Sequence, residues 1–243
     1  MKIVTCKSYL IAFALALITL TMNAQNNNHT NKALNAQEQS LVTLSALTAT
    51  GDMNNLKTAL NKALDAGLTI NEIKETLTQL YAYCGFPRSL NALNTFKTVL
   101  DERKAKGITD NIGKEIVVEN NVADKYEQGR KVLETLTKTP QAKPAPGFGE
   151  FAPRIDAFLK EHLFADIFVS DVLTYQQREL VTVAALGAMP GVEGQLQAHI
   201  GMAMNTGITE NQLMQVFDLI EKHISKQQAD DAKKILSKTV SKK

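Results

Sequence analysis

Arg178-Glu179 opens an apolar helical stretch, and His199 stands in the next one, within Gln195-Leu-Gln-Ala-His-Ile-Gly201. An imidazole changes charge near neutral pH, which suits a general acid or base. A glutamate facing an apolar interior could shuttle the proton, and a guanidinium could hold carboxylate oxygens in bidentate fashion. Each residue also has a plainer reading: Glu179 as a first-turn carboxylate favoured by the helix dipole, Arg178 as the partner of a neighbouring acid, His199 as a histidine satisfied by a backbone carbonyl. Earlier in the chain, Tyr83-Cys84-Gly85-Phe86-Pro87-Arg88 makes a Gly-x-Pro turn, followed by Asn91-Ala92. Arg88 is a second candidate for an anion, or a member of a solvated face. His29, His162 and His223 occur singly, without metal-ligand spacing. Phosphate loops and nucleophile elbows are missing too, so neither metal nor cofactor is expected.

The elements that must position these groups occur twice. Leu34 to Leu47 lines up with Leu173 to Leu186 at an offset of 139, and Leu56 to Thr69 with Leu196 to Thr209 at an offset of 140. Asn35-x-x-Glu38 and Thr174-x-x-Gln177 both fit a capping box, in which a short polar side chain and a residue three further on satisfy free amides at a helix start. The apolar runs that follow, Leu41 to Leu47 and Leu180 to Met189, are too continuous for a one-sided stripe and predict a helix buried on most faces. A second helix ends in each copy at Gly67 or Gly207, and Thr69-x-x-Glu72 or Thr209-x-x-Gln212 caps a third. Ile116-Val117-Val118 is the best β-branched run and is too isolated for a sheet. The chain therefore reads as all-α, built from two tandem helical units.

The chain has 243 residues, 44% of them hydrophobic and 21% charged, the composition of an ordered globular protein. Its first 24 residues combine a basic start, a short apolar run from Ser8 to Met22 and a small residue, Ala24, before an Asn-rich tract. This pattern predicts a signal peptide over 1–24 and an exported, periplasmic protein; the run falls short of the roughly 20 residues needed to span a bilayer. Removing Lys2 and Lys7 from the 27 basic residues leaves 25 against 25 acidic ones. A neutral chain gives no electrostatic case for nucleic acid or for stable membrane association as partners. Loss of Cys6 would leave Cys84 alone, which excludes an intramolecular disulfide or Cys-x-x-Cys couple. The expected organisation is a flexible leader over 25–33, a first unit over 34–110, a connection over 111–122 and a second unit over 123–243. The second unit would begin with the helix Asp124 to Leu136 and carry a Pro-rich extended loop over 137–153, which holds four of the six prolines.

Taken together, several strings resemble the carboxymuconolactone decarboxylase family, whose relatives include alkylhydroperoxidase-like proteins. The strings are Asp166-Ile-Phe-Val-Ser-Asp-Val172, Arg178 to Leu186, Leu196-x-x-His199 and Ala203-x-Asn205-x-Gly207-x-Thr209, together with Tyr83-x-Gly85-x-Pro87 in the first copy. Tyr126-Glu-Gln-Gly-Arg-Lys-Val-Leu133 is similar to the start of the decarboxylase branch. Each copy departs from the family pattern: the first has Ala59 where the histidine belongs, and the second has Glu221 to Gln227 where the Gly-x-Pro turn belongs. The resemblance implies a small-molecule lyase acting on a carboxylated lactone or related acid. In it His199 would donate the proton, Glu179 would orient it, Arg178 or Arg88 would grip anionic oxygens, and the turn Tyr83, Gly85 and Pro87 would come from the other unit. It also implies a homo-oligomer, most simply a trimer. The peroxidatic branch needs a Cys-x-x-Cys pair before the histidine, and Gly191-Val-Glu-Gly194 offers no sulfur there. A redox protein using Cys84, or a non-catalytic binding scaffold, are the alternatives.

Overall fold

The structure is a computed structural model that describes residues 32–241. The expected signal peptide, His29 and all but the last two residues of the expected leader lie outside the described residues.

Among the described residues there is no strand, and no helix is long and apolar enough to cross a membrane. The first unit holds α1 (Ala36–Thr50), α2 (Met53–Asp65), α3 (Ile70–Gln79) and α4 (Tyr81–Ala105). The second begins with α5 (Lys125–Thr137), two short helices, α6 (Phe148–Phe151) and α7 (Pro153–Ala157), and a π-helical segment (Phe158–Ile167). It continues with α8 (Tyr175–Gly187), α9 (Glu193–Asn205), α10 (Glu210–His223) and α11 (Lys226–Val240). The Pro-rich stretch is thus not wholly extended: its end folds into α6, and Pro153 starts α7 at a first-turn position where its missing N–H costs nothing.

The four capping boxes form as the spacing requires. Asn35 and Thr69 in the first unit, and Thr174 and Thr209 in the second, each accept from the amide three residues on, and that residue's side chain accepts from the cap amide in return. Gly67 and Gly207 turn the chain at matching φ of 92° and 97°. The connection after α4 is used as well: the Ile70 and Asn71 amides, unpaired within α3, donate to the carbonyls of Asn111 and Ile112 at 2.9 and 3.0 Å.

Helices α1 and α8 pack against each other and knit the units together. The core of the first unit, built on Leu41, Leu44, Leu56, Leu60 and Ile73, also takes in Val181 and Ala185 from α8. The core of the second takes in Val42 and Ala46 from α1. Val42 and Ala46 correspond to Val181 and Ala185 at the offset of 139, so the exchange is reciprocal and the units are related by pseudo-two-fold symmetry. Both valines are fully buried, each contributing roughly 1.5–3 kcal/mol of hydrophobic stabilisation.

A third cluster is centred on the second unit and reaches the start of α4. Helix α5 and the π-helical segment form a hairpin whose Val132, Leu136, Phe164 and Phe168 pack with Met202 of α9 and with Tyr81, Tyr83 and Tyr175. The helices approach closely at Gly129, where any Cβ would collide with the Lys160 carbonyl. Lys160 is fully buried, yet its ammonium donates to Asp156 at 2.7 Å, to the Tyr126 hydroxyl at 2.9 Å and to the Ala142 carbonyl at 3.1 Å. A buried charge is tolerable only when paired and hydrogen-bonded in this way.

Candidate functional site

Helix α8 carries polar residues into the middle of the molecule. Arg178, Glu179 and Thr182 recur at helical spacing on an otherwise apolar helix, and all three are fully buried. Beside them lies His199 of α9, 7% exposed. Its Nδ1 and Glu179 Oε2 are 2.9 Å apart. With Nδ1–H donating to the carboxylate, the imidazole orientation is fixed and Nε2 is the ring nitrogen left over. Nε2 has no hydrogen-bond partner among the described residues.

The first unit contributes the opposite wall. Tyr83 sets its ring edge-on to His199, with centroids 5.5 Å apart and planes at 80°. The Tyr83 ring is partly exposed, but its hydroxyl is buried and lacks a hydrogen-bond partner among the described residues. That burial, with the Glu179 carboxylate nearby, pushes the phenol far above its ordinary pKa, so Tyr83 is a neutral donor at any physiological pH. Glu179 Oε1 and Arg178 Nε are likewise buried without a partner among the described residues. Three polar atoms of one cluster therefore keep unused hydrogen-bonding capacity, each at a cost of about 1–3 kcal/mol.

Arg178 joins the units beneath this pair. Its Nη1 donates to Gln79 Oε1 at 2.9 Å, and its Nη2 to Glu75 Oε2 at 2.9 Å and to the Ser170 carbonyl at 2.8 Å. Gln79 returns two bonds, to the Arg178 carbonyl at 3.0 Å and to Thr182 Oγ1 at 2.9 Å. Burial pulls the guanidinium pKa down and the Glu75 carboxylate pushes it back up. Both amino groups being engaged, Arg178 braces the site rather than offering a free bidentate clamp.

The Gly-x-Pro turn has a separate part to play. At Gly85, φ 83° and ψ 157° interrupt α4, a conformation that side-chain-bearing residues rarely adopt, and the helix restarts with Pro87 in its first turn. This places Tyr83 on the final turn before the break. Gly85, Pro87 and Arg88 themselves are exposed, and the Arg88 guanidinium donates to the Ala49 carbonyl at the end of α1 and to Met189 Sδ just past α8. The fold thus unites Tyr83, Glu179 and His199, sets Arg178 behind them, and leaves Arg88 on a different surface. Cys84 is half-buried, its Sγ donating to the Leu80 carbonyl at 3.1 Å, and burial pushes the thiol up to about 11. A thiol so protonated is a poor nucleophile at neutral pH.

Glu75, Gln79 and Thr182 were not singled out from the sequence. A signal existed: Glu75, Gln79 and Tyr83 recur every four residues, and Thr182 follows Arg178 by four, so each set shares a helix face. Of the other histidines, His162 pairs with Asp166 at 3.1 Å on the surface, and His223 ends α10 beside a cavity remote from Glu179 and His199.

A family model described as the carboxymuconolactone decarboxylase family matches residues 15–98 and 153–222. A search of curated proteins finds no match.

Proposed function

The chain belongs to the carboxymuconolactone decarboxylase family, and from that premise we propose that it is an enzyme performing proton transfer on a small carboxylated lactone or related acid. The observation that carries this reading is the buried Glu179–His199 hydrogen bond with the Tyr83 ring set against the imidazole from the other unit. In a decarboxylation the bond from carbon to the carboxylate breaks, CO2 leaves, and the electron pair delocalises into the adjacent unsaturated lactone. A proton must then return to carbon. His199 supplies it from Nε2 as an imidazolium held against the Glu179 carboxylate, and water restores it afterwards. Tyr83, a neutral buried hydroxyl, is suited to donate a hydrogen bond to oxygen as negative charge develops there. Arg178 is a positioning residue: by tying Glu75 and Gln79 to the start of α8, it fixes the distance between the two units at the site.

The test is turnover of a panel of carboxylated five- and six-membered lactones by the full chain, read as CO2 release, with His199→Ala and Glu179→Gln alongside. Release that both substitutions depress while the far-ultraviolet dichroism stays unchanged supports the proposal. Release that persists undiminished in both variants, or no release from any lactone, overturns it. The exported location expected from residues 1–24 is proposed with it and favours a substrate met outside the cytoplasm.

A further inference from the structure

The pseudo-two-fold axis generates a second location equivalent to the Glu179–His199–Tyr83 site. At the offsets of 139 and 140, Ser40 takes the place of Glu179, Ala59 that of His199, and His223 that of Tyr83. These three residues, contributed by α1, α2 and α10, line one cavity of about 540 Å3. That the three counterparts meet in space shows that the pseudo-two-fold relation extends to this location. Its chemistry has been replaced: a hydroxyl for the carboxylate, a methyl for the imidazole. It therefore lacks the hydrogen-bonded acid–base pair of its sibling.

Its shape and charge differ for identifiable reasons. At the sibling site the corresponding positions hold the larger side chains of Glu179, His199 and Tyr83, and the α5 hairpin covers Met202. The residue matching Met202 is Lys62, which lines the open cavity, and no described element lies over it as that hairpin lies over Met202. Lys222 and His223 enter from the end of α10. No Asp or Glu lines the cavity, and neither lysine takes part in an ion pair among the described residues. Burial, Lys222 and Lys62 together hold the His223 imidazole below its ordinary pKa, a sign that the lysines' positive field acts at that position. Behind this basic rim the wall is mixed, with Leu47, Ala59, Ala66 and Leu219 beside the uncharged polar side chains of Gln39, Ser40, Thr43, Asn55 and Thr58. A volume in this range suits a small organic ligand; the ammonium groups, unpaired among the described residues, select an anionic end, and Leu47, Ala59, Ala66 and Leu219 offer contact to its organic body.

We infer that the cavity between α1, α2 and the end of α10 is a non-catalytic binding site for a small organic carboxylate, held by Lys62 and Lys222. The inference stands independently of the proposed reaction. Its test is titration of the full chain with benzoate and with its neutral isostere benzamide, followed by calorimetry and by the His223 ring proton signals. The expected result is saturable benzoate binding that shifts the His223 signals, with benzamide weaker by about tenfold or more. The double charge reversal Lys62→Glu/Lys222→Glu, on two exposed side chains outside any ion pair of the described residues, should weaken benzoate by at least about tenfold while the helical content stays constant. Ala59→Phe, which fills the cavity without touching the charges, should abolish binding. Equal affinity for benzamide, indifference to the charge reversal, or displacement of benzoate by an equal concentration of inorganic phosphate would each overturn the assignment. So would absence of benzoate binding accompanied by a change of assembly mass on charge reversal, which would give the groove to a second copy of the chain.

Discussion

The two units share helices, caps and a reciprocal core, yet they treat the same internal location in opposite ways. In the second unit it holds a carboxylate, an imidazole and a guanidinium, packed beside a hairpin tethered by Lys160. In the first it is an open cavity with a hydroxyl, a methyl and a basic rim. The contrast teaches that one set of helices and caps can hold either a packed polar cluster or an open, basic cavity at the equivalent location. The first unit has Ala59 at the histidine position but carries the tyrosine turn, and that turn brings Tyr83 against His199 across the pseudo-two-fold axis. Neither unit contains Tyr83, Glu179 and His199 together, so the cluster exists only at their interface.

The largest effect expected from this contrast is catalytic. His199→Ala should lower turnover by roughly 10²–10⁴-fold, the usual range for a lost general acid, while the mirror change Ala59→His restores nothing because Ser40 offers no carboxylate to orient it. Turnover in the CO2 assay measures both. Next comes stability. Arg178→Met leaves Glu75 buried without its cation and should cost about 3–5 kcal/mol in urea unfolding. The mirror substitution Gln39→Met, on an exposed residue, should stay within about 0.5 kcal/mol. Unequal costs here would sharpen the view that only one of the equivalent positions is a brace; equal costs would break it.

The symmetry itself is tested by Val42→Ala and Val181→Ala. Each removes two buried methyl groups from the core of the opposite unit and should cost about 1–3 kcal/mol, with the two values close to each other. A large disparity, read from the same unfolding curves, would mean that the reciprocal exchange is geometric but not energetic. The smallest effect is expected from Cys84→Ser, which should leave turnover unchanged because the thiol is protonated and engaged with its own helix. Peroxide consumption by the natural chain that disappears in this variant would instead support the redox alternative.

Much of the fold was legible because its determinants are local. Asn35, Thr69, Thr174 and Thr209 bond to atoms three residues away, so spacing alone announces them. The π-helical segment was not announced, since Phe158 to Ile167 has an unexceptional helical composition and its wider turn is settled by packing against α5. In the site, the pairing of His199 with Glu179 could be suspected from their positions on successive helices. The bracing by Glu75 and Gln79 could not, because those bonds join residues about a hundred positions apart. Arg88 shows the converse: a residue type fit for anions, in a suggestive motif, which the fold directs to the carbonyl end of α1.

By itself the amino-acid order determined where helices start and stop, that the unit occurs twice, and which side chains are able to exchange protons. These properties depend on residue type and on bonds spanning one turn of backbone. Tertiary structure alone decided that one unit supplies the tyrosine for the other, that Arg178 is a strut, and that the sibling location stands open and basic. Those outcomes depend on which surfaces meet when α1 packs on α8 and on which side chains then lose water, and they involve groups brought close only by the completed fold.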